Sequence, residues 1–203
     1  MTKSKLKIKR STFLSMLVSL GSFIYKAVLS ILTLSMVLMV ASISTLMVFI
    51  TKLAFVKNYT KTRDKKKRAY LVMTLAAIIY SLIFICFAVL KINGIDISNQ
   101  NTYEPFIAIL LIGFLIIMFI LSVIKLKSAL EKTDITLIGL KEMIFISSLA
   151  DVVIIFEFVT RAVLAYNDVA ILVTINGYVP LGVGALMALT SLIMFVRYLR
   201  YKA

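Results

Sequence analysis

The chain has 203 residues, 62% of them hydrophobic, with 23 Lys and Arg against 9 Asp and Glu and a net charge of +14. A globule of this length hides only about two thirds of its chain's surface, too little for so large an apolar fraction. A soluble enzyme, a disordered tail and a secreted disulfide scaffold are excluded, and a bilayer is the solvent that fits.

Histidine is absent and Cys86 is the single cysteine. The commonest general base and metal ligand is therefore missing, and no internal disulfide can form. The lysines and arginines bracket apolar segments, as they do at cytoplasmic membrane edges. Nucleic acid is disfavoured as a partner, because no basic patch carries interleaved stacking aromatics. No phosphate loop, dinucleotide fingerprint, metal spacing or nucleophile elbow occurs. Neither enzymatic activity nor a cofactor is expected.

Residues 1–10 carry five Lys or Arg. No A-x-A-like site follows them, and the segment is expected to be uncleaved. In residues 11–26, Ser11, Ser15, Ser19, Ser22 and Lys26 recur every three or four positions on one helix face. Phe13, Leu14, Leu17, Leu20 and Ile24 take the other side. This predicts an amphipathic helix lying in the membrane interface, so that 1–26 forms a basic N-terminal unit and 27–203 the transmembrane bundle. Residues 27–56 are apolar for longer than the roughly 20 residues a crossing needs, and predict one long or tilted helix.

Residues 57–68 contain Lys57, Lys61, Arg63, Lys65, Lys66, Lys67 and Arg68 with one acid, Asp64. This is the strongest cytoplasmic signal in the chain, and a surface for anionic headgroups or an acidic partner. Residues 69–91 predict the next span. The polar stretch 92–104 has Asp96 and Glu104 but no Lys or Arg, and predicts an outside loop. Pro105 suits a first helical turn, and 106–124 predicts the most lipid-exposed span. Residues 125–142 predict a cytoplasmic, partly helical connection. Further spans are expected at 143–165 and 177–197, with an outside loop at 166–176 and the C-terminal residues in the cytoplasm. Gly177, Pro180, Gly182 and Gly184 open the last span, and predict either close packing through Gly184 and Ala188 or a kink.

The fold class is thus an all-α polytopic helical membrane bundle. Five crossings preceded by an amphipathic helix are expected, with six, or a long continuous N-terminal helix that partly leaves the membrane, as the alternatives. One crossing in 27–56 would leave the basic residues 1–10 outside, against the charge rule. Two crossings within 8–56 would bring them inside, with a turn near Tyr25–Lys26.

Asp151, Glu157 and Arg161 fall inside one predicted span. Each charge at membrane depth costs about 2.5–3.5 kcal/mol on insertion scales and needs a local reason. Glu157 and Arg161, four apart, share a helix face, which Asp168 would continue. They predict either a packed intrahelical pair, or an ion or proton pathway or a switchable charge contact with a partner. Asp151 lies roughly 120° around the axis from Glu157, with Lys26 and Lys52 as candidate partners. The Ser15, Ser19, Ser22 and Lys26 face predicts helix packing or a pore lining. It is out of phase with Ser35, Ser42, Thr45 and Lys52 on a straight helix.

Two function classes follow. The first is an integral subunit (sensor, anchor or scaffold) of a complex in the cell membrane, acting through homo-oligomerisation and a cytosolic or membrane partner. The second is a homo-oligomeric pore.

Overall fold

The computed structural model describes residues 3–33, 36–93, 105–164 and 170–201. They form six helices: α1 (Lys3–Thr33), α2 (Met36–Asn58), α3 (Arg63–Ile92), α4 (Pro105–Leu130), α5 (Ile135–Leu164) and α6 (Ala170–Arg200). The shortest, α2, has 23 residues, or about 34 Å at 1.5 Å per residue. That exceeds the roughly 30 Å of a hydrocarbon core. A helix meets its backbone hydrogen bonds within itself, which lipid demands. Among the described residues, four stretches are long and apolar enough to cross a membrane: Ile8–Leu32, Met39–Asn58, Arg63–Ile92 and Gly177–Arg200. The chain is an all-α bundle of membrane-protein type, as its composition predicts.

The N-terminal third is organised differently from the sequence expectation. Helix α1 runs without interruption through Tyr25 and Lys26, where the turn of a six-span arrangement was expected. The apolar run at 27–56 is divided instead, with Thr33 ending α1 and Met36 opening α2. Lys26 does not end the helix, since lysine is a good helix former, and its side chain donates to Thr45 on α2. Helix α6 begins earlier than expected, at Ala170, and continues through Pro180 without a break. Of the expected outside loops, residues 94–104 and 166–169 lie outside the described residues, whereas 170–176, expected as loop, are the first two turns of α6.

Helices α1 and α2 form an antiparallel pair. Lys52 Nζ donates to Ser15 Oγ at 2.8 Å, Ser15 O at 3.1 Å and Ser19 Oγ at 2.6 Å, and Lys26 Nζ donates to Thr45 Oγ1 at 3.3 Å. Helix α5 is central, packed among α2, α3, α4 and α6, whereas among the described residues α1 packs against α2 alone and α4 against α5 alone. The outer surface of α4 displays Ile116, Ile117, Ile120, Val123 and Ile124, as expected for a lipid-facing helix.

Small side chains set the helix spacing. Hydroxyl pairs bridge α2 to α5 (Ser44–Ser147, 2.7 Å), α3 to α6 (Ser81–Ser191, 2.9 Å) and α4 to α5 (Ser122–Ser148, 2.6 Å). Such cross-helix bonds average about 0.6 kcal/mol in membrane bundles. A Cβ on Gly139 would lie 2.6 Å from the Tyr70 ring, and one on Gly184 would lie 2.9 Å from Ile85 Cγ1. Both glycines therefore let α3 approach its neighbours. The core between them is filled by Phe55, Tyr70, Met73, Tyr80, Phe84, Met143, Ile146, Met187 and Met194.

Candidate functional site: a charged pocket between four helices

Three charged residues from within the helices, Lys26, Asp151 and Glu157, line one pocket. It has a volume of about 120 Å³ and lies between α1, α2, α3 and α5. Helix α1 contributes Lys26, α2 contributes Ser44 and Thr45, α3 contributes Phe84 and Phe87, and α5 contributes Ser147, Asp151 and Glu157. Helical periodicity explains why α5 supplies so much of the wall. Ser147, Asp151 and Ile154 follow at spacings of four and three, one turn above another. Asp151 and Glu157 both reach the pocket although they are separated around the helix axis, because the pocket spreads across the width of α5.

Glu157 is buried, and its Oε1 lies 3.2 Å from Lys91 Nζ at the end of α3. Both side chains are less than a tenth exposed, so the pair is shielded from solvent. The expected intrahelical partner, Arg161, has its side chain outside the described residues, as does the whole of Asp168. Lys91 thus supplies a charge from α3 that the sequence reading did not name for Glu157.

Asp151 differs. Among the described residues it makes no hydrogen bond and no ion pair, although the Lys26 ammonium acts on it across the pocket. Of its two candidate partners, Lys26 shares the pocket, whereas Lys52 is committed to Ser15 and Ser19. Beside the pocket the Tyr80 hydroxyl is fully buried and completes no hydrogen bond among the described residues. Ser44 and Asp151 both lie within its electrostatic reach. The Phe84 and Phe87 rings, 5.9 Å apart between centroids, form the apolar wall.

The polar face of α1 is turned inward. Ser19 is buried, Ser22 and Lys26 are half-buried, and Ser15 remains exposed while accepting from Lys52. The out-of-phase positions Thr45 and Lys52 belong to α2 and face this stripe from the opposite side. Two antiparallel helices, rather than one straight one, account for the phase mismatch.

The basic connection 57–68 divides into two sets. Lys66 Nζ meets Asp134 Oδ2 at 2.5 Å, while Arg63, Lys66 and Lys67 sit over the rings of Tyr201, Tyr59 and Tyr198 at 5.1, 5.5 and 5.6 Å. Lys57, Lys61, Lys65 and Arg68 are exposed. At the same end of the bundle, Glu142 on α5 is buried between Arg197 of α6 and Tyr70 of α3, whose hydroxyl donates to Glu142 Oε2 at 2.9 Å.

Sequence reasoning missed Lys91, Glu142 and Tyr80. Lys91 carried a usable signal, a single lysine beside a stretch otherwise free of Lys and Arg. Glu142 and Tyr80 carried none, since only the packing of α3, α5 and α6 makes their surroundings apolar. No known protein family, curated protein or solved structure matches this chain.

Proposed function

We propose that this chain is a six-crossing integral membrane subunit that acts by binding, without catalysis, through the pocket formed by α1, α2, α3 and α5. The observation that carries this reading is the convergence of Lys26, Asp151 and Glu157 on one cavity within the bundle. Charges at that depth are costly, and packing alone would be served as well by apolar residues.

The charge distribution supports six crossings in the cell membrane with the basic end in the cytoplasm. An even number of antiparallel helices puts residues 1–10, 57–68, 131–134 and 201–203 at one end. The stretches at the opposite end, 93–104 and 165–169, hold Asp96, Glu104 and Asp168 but no Lys or Arg. The connections thus follow the positive-inside rule, with Lys91 and Arg161 the basic residues near the outer helix ends, and the conflict that five crossings create for residues 1–10 is removed. The exposed Lys57, Lys61, Lys65 and Arg68 then meet anionic headgroups or an acidic partner surface. A pore lined by the Ser15–Lys26 face is the weaker reading, since Ser15, Ser19 and Lys26 bond to Lys52 and Thr45 of the same chain.

Single cysteines introduced at Asn99, Asn167, Ser4, Lys61, Lys132 and Arg200 on a Cys86→Ser background test this topology. An impermeant maleimide on intact cells should label only the first two. Labelling of Ser4→Cys, as five crossings require, labelling of Lys61→Cys, or a split between Lys61→Cys and Arg200→Cys, would refute six crossings with this orientation.

A further inference from the structure

Three charged side chains line the pocket: Lys26, Asp151 and Glu157. Glu157 is met by Lys91, outside the set of side chains that line the cavity. Lys26 and Asp151 both line it and make no ion pair with one another. Lys26 spends one donor on Thr45, and an ammonium has three. Two N–H groups are therefore left for an acceptor. Asp151 offers two carboxylate oxygens, neither bonded among the described residues. Buried polar groups are ordinarily satisfied; here the missing partner of each is separated from the other by a cavity.

Resting on the binding role proposed above, we infer that this cavity binds a small zwitterion, its ammonium on Asp151 and its acid group on Lys26. The volume limits its size. A cavity of about 150 Å³ accommodates benzene, so about 120 Å³ suits five or six non-hydrogen atoms, the size of glycine, alanine or β-alanine. The Phe84 and Phe87 wall faces its carbon skeleton. The Ser44–Ser147 hydroxyl pair and the buried Tyr80 hydroxyl lie within or beside the cavity as further hydrogen-bonding groups. A bare cation fits less well, because Lys26 would repel it. A bare anion fits less well, because Asp151 would. The same chemistry could come from a free amino acid or from the ethanolamine phosphate headgroup of a lipid, whose eight non-hydrogen atoms would enter the cavity only in part.

The test uses the full chain in nanodiscs made only of phosphatidylglycerol, with radiolabelled glycine, alanine and β-alanine as probes and methylamine and acetate as competitors. A parallel arm replaces the probes with phosphatidylethanolamine in the disc and reads thermal stabilisation by circular dichroism. Saturable binding of a probe, or stabilisation by the lipid, is expected in one arm, and that arm identifies the source. Asp151→Asn and Lys26→Gln should each weaken the effect roughly tenfold or more, the value of one charge-assisted hydrogen bond. Lys26→Arg should largely retain it and guards against loss of fold. Binding no tighter than about 10 mM in both arms by folded protein overturns the inference. So does binding that methylamine matches and Lys26→Gln leaves intact. Either failure can occur with the cysteine labelling pattern unchanged, in which case the six-crossing membrane assignment stands and the zwitterion falls.

Discussion

Lys66 and Asp134 lie 68 residues apart in the chain and meet at 2.5 Å, joining the start of α3 to the start of α5. The same Asp134 caps α5. Its Oδ1 accepts from Thr136 N at 3.1 Å, Thr136 Oγ1 at 2.6 Å and Leu137 N at 3.3 Å. One carboxylate thus fixes the direction in which α5 leaves its connection, and with it the height of Asp151 in the bundle.

Asp134→Ala should therefore cost about 1–2 kcal/mol, the usual value of a lost N-cap together with a partly shielded ion pair. Burial alone would raise the Asp134 pKa, but the hydrogen bonds from Lys66 and Thr136 and the Lys66 charge outweigh it and hold the carboxyl below its ordinary value. A depressed folded-state pKa contributes stability above the unfolded value and loses it as pH falls through the folded one. Thermal midpoints in detergent should fall as pH drops below about 4, near the ordinary Asp pKa. Asp134→Asn should show less of that decline. An identical acid profile in wild type and variant would mean that Asp134 is not the titrating group.

Gly139→Ala should destabilise by about 1–3 kcal/mol, the usual cost of overpacking. The new methyl would sit 2.6 and 2.8 Å from two Tyr70 ring carbons and 2.9 Å from Met73 Sδ. Tyr70 cannot swing aside without breaking its bond to Glu142. Gly113→Ala is the internal comparison, because nothing lies within 4 Å of that position. Unfolding in a denaturing detergent should separate the two variants, and equal stability would contradict the close approach of α3 to α5.

Glu142 is buried while Arg197 remains about a third exposed, so removing the arginine should be worse than removing the acid. Arg197→Gln leaves a buried carboxylate with only Tyr70 and should cost about 3 kcal/mol. Glu142→Gln should cost less, because no buried charge is stranded. The double variant should be more stable than Arg197→Gln alone. A strictly additive cycle would show that the pair contributes no coupling.

Lys52→Met keeps the aliphatic stem but removes the hydrogen bonds to Ser15 and Ser19. Hydrogen exchange should quicken in residues 8–20 of α1 and stay unchanged in α5. A loss of about 1–2 kcal/mol in overall stability should accompany it, as for a charged donor removed from its acceptors. Unaltered exchange in α1 would mean that apolar packing alone holds it to α2.

The helical bundle was legible in the sequence because apolar runs of crossing length are hard to read otherwise. The boundary between α1 and α2 was not. Leu32, Leu34, Met36 and Val37 surround it with no Pro, Gly or charge, while the conspicuous interruption, Lys26, lies within a continuous helix. The phase mismatch between Lys26 and Thr45 or Lys52 argued against one straight polar face, and is equally compatible with a bend and with two helices. For the site, Asp151 and Glu157 stood out because charge at membrane depth is rare, and Lys26 was one of two lysines named for Asp151. Choosing between Lys26 and Lys52 requires the depth at which α1 lies along α2, which no local pattern encodes. Lys91 was hidden at the edge of its predicted span, and its role depends on how α3 and α5 end relative to one another.

The two sides of the pocket are anchored unequally. Asp151 stands on α5, wedged among α2, α3, α4 and α6, while Lys26 stands on α1, which among the described residues leans on α2 alone. Separating α5 from the bundle would disturb four interfaces, and shifting α1 disturbs one. Thermal motion that widens the pocket is therefore borne by a single helix–helix seam. Solute exchange through that side would leave the serine-linked contacts of α3 with α6 and of α4 with α5 undisturbed, so the seam between α1 and α2 is where affinity and exchange rate would be tuned together.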